Sequence, residues 1–580
     1  APSPQALRQK PINLRANTLF AFAAGNIIKA AKFSAIFASR LRRFKINDEK
    51  RFGAEFKEKN MLIYAHDYGV LPNEEVAVRL ENLLAAVAEI KDEKKIIFDE
   101  GDYYIESAKL QSRMLYITNT VGDAEFKNGE TPHKNRCALA FCGIENAEFD
   151  FCGAEFYING KATNVAVIDC KNLLIENLKL TPKNPNIRKM TVIAKSLFSV
   201  DFKIDGDYYV KNNALYFKGI DYDYNASGQY RFATHLAHIK AKSPKQVWRT
   251  GKLFKSAMGV SEIKPGVIRI KYPRTAFCAV GDRFYAFDCL RQYVGIFLDK
   301  SENITLQNVH QHFNYSLAYV AQDCKDLTVK SCRFAPKTED FEIASLADFM
   351  QVCMCRGHID VENNYFDGAC DDCANFHGIH FIIESISGNK LTVAFKHPQT
   401  HGFNPISEGD EIGYISTKSL LEKGRATVLS SKLTDEYHIE LEVNDTSAAA
   451  EGFAIEDITK IPTVHFKNNL AKHIITRGLL ITVRNKAVVE SNRFESCSMS
   501  GVLLSDDAAN WFESGFCGDV LIKDNVFEFC GEVPVLIKPE NKVNEGPVHK
   551  NIKIIGNTFN YKGNPVSIKC AENTVVENNK

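Results

Sequence analysis

The sequence has few tryptophans, almost no net charge and no apolar run long enough to cross a membrane. Two of its 580 residues are Trp, whereas Phe and Tyr number 39 and 21, so aromatic stacks in a repetitive core would consist mainly of Phe and Tyr. The 72 basic and 71 acidic residues leave a formal charge of +1, which gives no overall field to attract nucleic acid or an acidic partner. We therefore expect no nucleic-acid binding.

The first 45 residues contain no acidic residue and nine basic ones. An apolar stretch among them, from Thr18 to Ile28, is interrupted by Asn26 and closed by Lys29, and it is too short to span a bilayer. We expect no membrane insertion. We interpret this segment as a basic amphipathic helix packed on the end of the protein, and a targeting remnant is the alternative.

The 16 cysteines do not form the short, dense framework of a small secreted protein. Cys353 and Cys355, followed by Cys370 and Cys373, have the C-x-C and C-x-x-C spacing that resembles zinc ligands. Several cysteines recur at one position of the repeat described next, which favours burial as small hydrophobic side chains. We therefore predict that these four thiols bind no metal.

One phrase recurs along most of the chain: a turn residue, then alternating apolar residues, then a small polar residue that closes the strand. The closing residues are 21 to 33 residues apart, except for one gap of 128. Alternation with period two at a fixed coil length predicts an all-β protein, a right-handed parallel β-helix. The closing positions that we predict to be equivalent are Asn308, Ser331, Asn364, Asn492, Asn525, Asn557 and Asn578.

Two segments lack the phrase and contain short strands with hairpin turns, so we expect each to be a small antiparallel β-barrel inserted between coils. A helical pattern near Val76 to Ile90 predicts an N-terminal helical cap over the open end of the first coil. The predicted organisation is a basic segment at 1–60, the cap and first coils at 61–182, an inserted unit at 183–292, coils at 293–381, a second inserted unit at 382–462, and C-terminal coils at 463–580.

The candidate chemistry lies in the coils before the second inserted unit. Asp348 and Asp371 are 23 residues apart, the length of one bare coil, and Asp372 follows directly. Residues one coil apart stack about 5 Å from each other, so the spacing predicts three clustered carboxyl groups. Like charges this close raise the pKa of one group, which can then act as an acid while the others activate water. Asn375 and His377 follow closely and are predicted to bind substrate.

Two further elements are candidates for the same groove. Trp511 lies two residues before Glu513 in a loop between coil phrases, and an aromatic ring beside an acid is typical of a sugar subsite. Arg477 precedes another coil strand and is the third candidate.

These motifs together resemble glycoside hydrolase family 110. The resemblance rests on Asp348, on ACDDCANFHG around Asp371 and Asp372, on RGLL from Arg477 and on NWFESG from Asn510, and it extends from about His66 onward. It implies a right-handed parallel β-helix with small inserted β-barrels, and exo-acting, inverting, metal-independent removal of terminal α-1,3-galactose from blood-group B or linear glycans. The three aspartates would be the catalytic residues, with no cofactor.

The aspartate arrangement also resembles that of polygalacturonases, in which the first residue of the pair is the acid. By that likeness Asp371 is the acid, and Asp348 and Asp372 activate water. For inversion we expect the distance from Asp371 to the nearer of Asp348 and Asp372 to fall at the low end of about 6.5–9.5 Å, or slightly below it. A glycan substrate implies a site of action outside the cytoplasm.

Three alternatives remain open at this point. An endo-acting polygalacturonase-like hydrolase would need a groove open at both ends, whereas the unit at 382–462 is placed to block one end. A calcium-dependent lyase would need a basic residue beside calcium ligands, for which Arg477 is the nearby candidate. A non-catalytic glycan-binding β-helix would need no acid or base. The sequence leaves the oligomeric state open.

Overall fold

The computed structural model describes residues 61–120, 133–219, 223–225, 235–249, 252–275, 277–287, 291–339 and 341–580. The helix expected in the basic segment lies outside the described residues. Within them, no helix is both long and apolar enough to cross a membrane.

Parallel strands stack into three long sheets, and each coil contributes one strand to each sheet in turn. This confirms the predicted parallel β-helix. Sheet 1 contains Met61–Tyr64, Lys94–Ile97, Glu145–Asp150, Lys171–Glu176, Glu302–Gln307, Lys325–Lys330, Arg356–Glu362, Pro462–Lys467, Lys486–Glu490, Asp519–Lys523, His549–Ile555 and Ala571–Glu577. Sheet 2 contains Asp102–Glu106, Glu155–Asn159, Lys179–Pro182, His310–Gln311, Arg333–Phe334, Tyr365–Asp367, Leu470–Ile474, Arg493–Cys497, Val526–Glu528 and Thr558–Asn560.

Sheet 3 carries the candidate site. It contains Ser112–Met114, Lys134–Cys142, Thr163–Ile168, Ile296–Asp299, Tyr319–Gln322, Met350–Cys353, Ala374–Ile379, Leu479–Thr482, Val502–Leu504, Val535–Ile537 and Val566–Ile568. The short strand Glu513–Ser514 pairs antiparallel with Ala374–Ile379 and lies beside the sheet.

A single helix covers the first coils, as the sequence predicted. Helix α1, Ala77–Ala88, buries Leu80, Leu83, Leu84 and Val87 in the same apolar core as the coil strands, with 3-10 turns at Ala65–Tyr68 and Ser107–Lys109. These leucines and valine recur with the three- and four-residue spacing of one helix face, so the helix closes the open end of the core.

Phenylalanine side chains stack along the core in successive coils, which matches the aromatic stacks expected from composition. Ring centroids are 5.2 Å apart between Phe334 and Phe366, and 5.2 Å apart between Phe494 and Phe527. Each ring lies nearly parallel to its neighbour because the same strand position repeats from coil to coil.

The corner between sheets 1 and 2 corrects the predicted repeat alignment by one residue. Asn308, Ser331 and Asn578 occupy the left-handed position at the corner, with φ of 52°, 55° and 55°. The equivalent residue in the coil of Asn364 is Asn363, with φ of 57°. The remaining predicted positions, Asn364, Asn492, Asn525 and Asn557, therefore lie one residue later than the left-handed position.

These later residues form an asparagine ladder with two members that the sequence analysis missed. The asparagine ladder comprises Asn364, Asn469, Asn492, Asn525, Asn557 and Asn579. Asn492 is typical: its backbone N–H donates to Asn525 Oδ1 at 2.9 Å, and its Nδ2 donates to the same oxygen and to Phe466 O. Adjacent asparagines such as Asn363 and Asn364 made the two alignments indistinguishable from sequence. Overlooking Asn469 lengthened the gap across the second inserted unit from 105 to 128 residues.

The first inserted segment leaves the coils after Pro182 and returns at Ile296. Its described strands form an antiparallel sheet of seven, so this unit differs from the expected barrel, since no closure is seen among its described strands. They are Ile187–Lys195, Ser199–Ile204, His235–Lys240, Ser243–Arg249, Gly259–Lys264, Val267–Lys271 and Arg283–Phe287, with a separate sheet of Tyr208–Lys211, Ala214–Phe217 and Tyr224–Asn225 and a short helix α2, Lys252–Lys255.

The second inserted segment is a closed antiparallel barrel, as expected. Coil strands resume at Pro462. The barrel strands are Phe381–Ser387, Lys390–Ala394, Glu411–Ile415, Glu422–Leu433, His438–Val443 and Ala454–Asp457. Its apolar interior joins Met354 and Ile379 of the coils, so the barrel packs directly beside sheet 3.

Candidate active site

The three aspartates lie at the corner where the chain passes from sheet 2 into sheet 3. Asp348 and Asp372 each stand two residues before a strand, and the paired residues Met350 and Ala374 define a 24-residue step between these coils. Asp348 therefore stacks on Asp372, whereas the 23-residue spacing had aligned it with Asp371. The cluster itself forms as predicted, because all three carboxyl groups line one pocket.

The chain bends sharply just before the aspartate pair, at Gly368. Gly368 has a φ of 88°, and a Cβ there would lie 2.3 Å from the carbonyl oxygen of Glu342, so only glycine fits. In a straight strand Asp371 and Asp372 would face opposite sides of the sheet. The irregular corner allows both side chains to reach the same pocket.

Asp372 is held by donors from the next coil. Its Oδ1 accepts hydrogen bonds from the backbone N–H of Arg477 at 3.0 Å, from Arg477 Nε at 2.8 Å, and from the hydroxyl of Thr476. The side chain is 2% exposed. Because all three donors converge on Oδ1, the carboxylate is fixed in orientation and Oδ2 takes part in none of these bonds.

Asp371 is the most exposed of the three carboxylates, with 15% of its side chain accessible, and it pairs with Arg291. Arg291 Nη2 donates to Asp371 Oδ2 at 2.9 Å. The Thr476 hydroxyl lies 3.3 Å from Asp371 Oδ1 while it donates to Asp372, so the two carboxylates are side by side. Asp371 is thus positioned at the pocket surface.

Asp348 is buried behind the pair and has the unusual electrostatics. Burial raises the pKa of its carboxyl group well above the ordinary value, and the charges of Asp371 and Asp372 raise it further, while Arg291 opposes them. Burial and like charge therefore favour the protonated form of Asp348. The sequence analysis expected one raised pKa in this cluster, although it had given the acid role to Asp371.

A chain of hydrogen bonds connects Arg291 to the opposite wall of the pocket. Arg291 Nη1 donates to Asn119 Oδ1 at 3.0 Å, and Asn119 Nδ2 donates to Gln351 Oε1 at 2.6 Å. Gln351 Nε2 lies 2.9 Å from His377 Nε2. Because His377 Nδ1 lies 2.8 Å from the Gly378 carbonyl, we assign the ring proton to Nδ1 and the acceptor role to Nε2.

Asn375 and Glu513 form the adjoining wall. Asn375 Nδ2 donates to Glu513 Oε1 at 3.0 Å, and the same oxygen lies 3.7 Å from His377 Nε2. Asn375 is 3% exposed, and its Oδ1 has no hydrogen-bond partner among the described residues. Asn375 also lines the pocket, so this buried acceptor is available to a donor bound there.

Trp511 contributes an aromatic surface at the mouth of the pocket. Its side chain is 46% exposed, and its ring stacks on His397 of the barrel with centroids 4.4 Å apart. The Asp507 carboxylate accepts hydrogen bonds from the backbone N–H groups of Ala509, Asn510 and Trp511, which shapes the loop. A buried pair, His380 Nε2 and Asp506 Oδ1 at 2.8 Å, anchors the start of this loop.

The candidates from the sequence lie together in this structure. Seven of them line one pocket: Asp348, Asp371, Asp372, Asn375, Arg477, Trp511 and Glu513. His377 lies in an adjoining pocket that Trp511 and Glu513 share. The sequence analysis missed Asn119, Arg291, Gln351 and His397. A signal existed only for Gln351, which is aligned with Asn375 in the neighbouring coil.

The four cysteines near the site are buried in three separate clusters. Cys355 and Cys373 lie in the main core, Cys353 packs with the barrel interior, and Cys370 packs with the first inserted unit. Burial raises the pKa of the Cys353 and Cys373 thiols well above their ordinary values, which favours the protonated thiol over the thiolate that binds metals.

Comparison with known proteins places this arrangement in a class and a family. The relatives given next show that this parallel β-helix with a carboxyl cluster is a glycoside hydrolase. Residues 390–450, within the barrel, match the family model of GLAA-B beta-barrel domain II. Alpha-1,3-galactosidase A of Bacteroides thetaiotaomicron is 30% identical over 86% of this chain and 89% of that protein. Alpha-1,3-galactosidase A of Akkermansia muciniphila is 30% identical over 73% of this chain and 71% of that protein.

The chain therefore belongs to the family of these alpha-1,3-galactosidases, glycoside hydrolase family 110. Among solved structures, the surface adhesin PfbA of Streptococcus pneumoniae aligns with 90% of this chain and 93% of that chain, at 10% identity and a TM-score of 0.35.

Proposed function

We propose that this protein is an exo-acting, inverting glycoside hydrolase that removes terminal α-1,3-linked galactose from glycans. Family membership supports the reaction class and the sugar, since the relatives are named alpha-1,3-galactosidases. Blood-group B and linear α-galactosyl glycans are the proposed substrates. Because such glycans lie outside the cell, the proposal implies a site of action outside the cytoplasm.

The observation that carries the proposal is the three-carboxyl cluster in a small polar pocket. Hydrolysis with inversion needs one protonated carboxyl for the leaving oxygen and one ionised carboxylate for the attacking water. We propose that Asp348 and Asp371 share a proton, because burial and the charges of Asp371 and Asp372 raise the pKa of Asp348. In such a coupled pair, the proton belongs to the two groups together.

Within that pair, Asp371 is the proposed acid, because it is the carboxyl that a substrate can reach. Proton donation leaves Asp371 ionised and the leaving hydroxyl protonated, and Arg291 at 2.9 Å stabilises the carboxylate that results. Asp372 is the proposed base. Its Oδ1 is occupied by three donors, which orients Oδ2 to accept a proton from water.

The exo mode is supported by how the pocket is bounded. The adjoining pocket is lined by Phe395, Lys396, His397 and Thr400 of the barrel as well as by Trp511. We propose that these side chains close one end of the binding groove, which would leave room for a terminal sugar instead of a continuing chain. Trp511 would pack on the face of a pyranose ring. Asn375 Oδ1 would accept a hydrogen bond from a sugar hydroxyl.

The proposal is tested by incubating the purified protein with a panel of galactosides that differ in linkage and anomer. We expect release of free galactose from α-1,3-linked substrates and no shortening of internal polygalacturonate chains. Asp371→Asn should lose at least about 100-fold in rate on a disaccharide but much less on an aryl galactoside, whose leaving group needs little protonation. Glycan binding without release by the unaltered protein would contradict the proposal and favour a binding β-helix.

A further inference from the structure

A second polar cluster lies where the coils meet the barrel, away from the aspartates. His133 precedes the sheet 3 strand Lys134–Cys142, whereas His401 and Glu436 belong to barrel loops. One potential ligand atom from each of these three residues lies within 4.8 Å of the other two. The cluster thus spans two parts of the chain that are far apart in sequence.

Both histidines are buried with unpaired nitrogens. His401 is 0% exposed and His133 is 6% exposed. Neither ring nitrogen of His401 has a partner of good hydrogen-bond geometry among the described residues, although a weak backbone interaction with Pro398 raises its pKa slightly, and Nδ1 of His133 also lacks a partner. A buried polar atom without a partner costs about 1–3 kcal/mol, so three of them in one place need an explanation.

Aromatic neighbours hold the rings in orientations that suit a shared ligand. His133 stacks on Tyr116 with centroids 4.2 Å apart, and His401 stacks on Tyr437 at 4.4 Å. The two imidazole centroids are 5.6 Å apart. Two imidazoles bound to one tetrahedral ion, with Zn–N bonds of about 2.0–2.1 Å, have centroids roughly 5 Å apart, so a small rotation brings both rings into range.

The carboxylate is held in the same way. The Tyr116 hydroxyl donates to Glu436 Oε1 at 2.8 Å, which leaves Oε2 outside this bond. Gly402 N–H donates to the Glu436 carbonyl oxygen at 2.8 Å and so fixes His401 beside Glu436. Gly402 is required here, because a Cβ would collide with the Tyr116 ring at 1.9 Å.

We propose that His133, His401 and Glu436 bind one divalent transition-metal ion, with Zn²⁺ as the best match. Two imidazoles and one carboxylate are a ligand set that Zn²⁺ accepts, with water in the fourth position. Binding requires neutral imidazoles, and burial lowers the pKa of His401 to about 4 and also lowers the pKa of His133. A separate cluster of three carboxylates contains no buried atom without a hydrogen-bond partner, so it gives no comparable evidence for a metal ion. It consists of Glu148, Asp150 and Glu176.

The ion would tie the barrel to the coils, not take part in catalysis. The barrel also contacts the chain before sheet 3 near the cluster, where Thr118 Oγ1 lies 3.1 Å from Thr400 Oγ1. Asn119 N–H also donates to Thr400 Oγ1, and Asn119 lines the catalytic pocket. Metal binding would therefore stabilise the position of Asn119 without touching an aspartate, and the proposal is independent of the proposed function.

The test uses the full chain, freed of metal with a chelator and then titrated with Zn²⁺ or Co²⁺ alone. We expect one equivalent to bind, a higher melting temperature for the unaltered protein, and a tetrahedral Co²⁺ absorption spectrum. His401→Gln should weaken binding by at least about 100-fold and abolish the shift. His358→Gln removes an exposed histidine elsewhere and should change neither.

Crystals of the unaltered protein soaked in Zn²⁺ give an answer that does not depend on a variant folding. An anomalous peak between His133, His401 and Glu436 would support the site. A peak only at other residues, or a metal-dependent melting shift that persists equally in His401→Gln, would overturn it.

Discussion

Two corners of the same coil use stacked polar side chains in opposite ways. At the corner between sheets 1 and 2, Asn492 and its neighbours in the asparagine ladder both donate and accept hydrogen bonds. Each side chain therefore satisfies polar groups of the next coil. At the corner between sheets 2 and 3, Asp348 stacks on Asp372. Two ionised carboxylates can only accept hydrogen bonds, and their charges repel each other. Stacking of like side chains therefore gives a self-satisfied structural seam in one place and, in the other, a carboxyl cluster in which burial and like charge raise the pKa of Asp348.

Removing a carboxyl from the catalytic corner should produce the largest change. We expect Asp348→Asn to lower kcat at least about 100-fold, because the pair can no longer hold the shared proton. Asp360→Asn, on sheet 1 away from the pocket, is the control and should leave kcat unchanged.

The same substitution should stabilise the fold at neutral pH. Because the pKa of Asp348 is raised in the folded state, the contribution of its protonated carboxyl to the stability of the fold is fully present below the unfolded-state pKa of about 3.9. This contribution is lost as the pH rises through the folded-state pKa. The melting temperature of Asp348→Asn should exceed that of the unaltered protein at pH 7, and the difference should vanish near pH 4. Equal melting temperatures at both pH values would contradict the proton-holding role.

Adding a carboxyl to the asparagine ladder should destabilise the fold. Asn492→Asp removes the donor to Phe466 O and Asn525 Oδ1 and buries a charge, so we expect about 3 kcal/mol of destabilisation in urea unfolding. The folded fraction of the variant should keep the kcat of the unaltered protein, because this corner lies apart from the pocket. Asn573→Asp, at an exposed position, provides the matched control and should cost far less.

The partner of Asp371 gives an intermediate effect. Arg291→Met removes a charge-assisted hydrogen bond worth about 1.5–3 kcal/mol, so kcat should fall about 10- to 100-fold. Arg356→Met, which removes a surface arginine near Asp323, is the comparison. A loss seen only in KM would mean that Arg291 binds substrate without supporting the acid.

Trp511 should show the smallest effect. Trp511→Ala removes the exposed ring that stacks on His397, and we expect KM for an α-1,3-galactosyl disaccharide to rise about 5- to 10-fold, from a stacking contribution of about 1 kcal/mol. Trp511→Phe should restore part of the affinity. An unchanged KM would remove Trp511 from the sugar subsite.

The sequence predicted the coils and the aspartate cluster because both depend on a short local period. It misaligned the corner by one residue where Asn363 and Asn364 are adjacent, since either can fill the left-handed position. Arg291 could not be predicted from the sequence, because it enters the pocket from the far end of an insertion whose path no repeat defines. Whether the strands of the first insertion close into a barrel also depends on pairing between distant strands, which hairpin signals do not encode.

Proton NMR of the first product tests the central claim most directly. The proposed roles make Asp371 the acid and Asp372 the base that activates water, and an acid and base of this kind predict inversion at the anomeric centre. With an α-1,3-galactosyl disaccharide, β-galactose should appear first and α-galactose only later, by mutarotation. Initial release of α-galactose would show retention through a covalent intermediate and would contradict the roles proposed for Asp371 and Asp372.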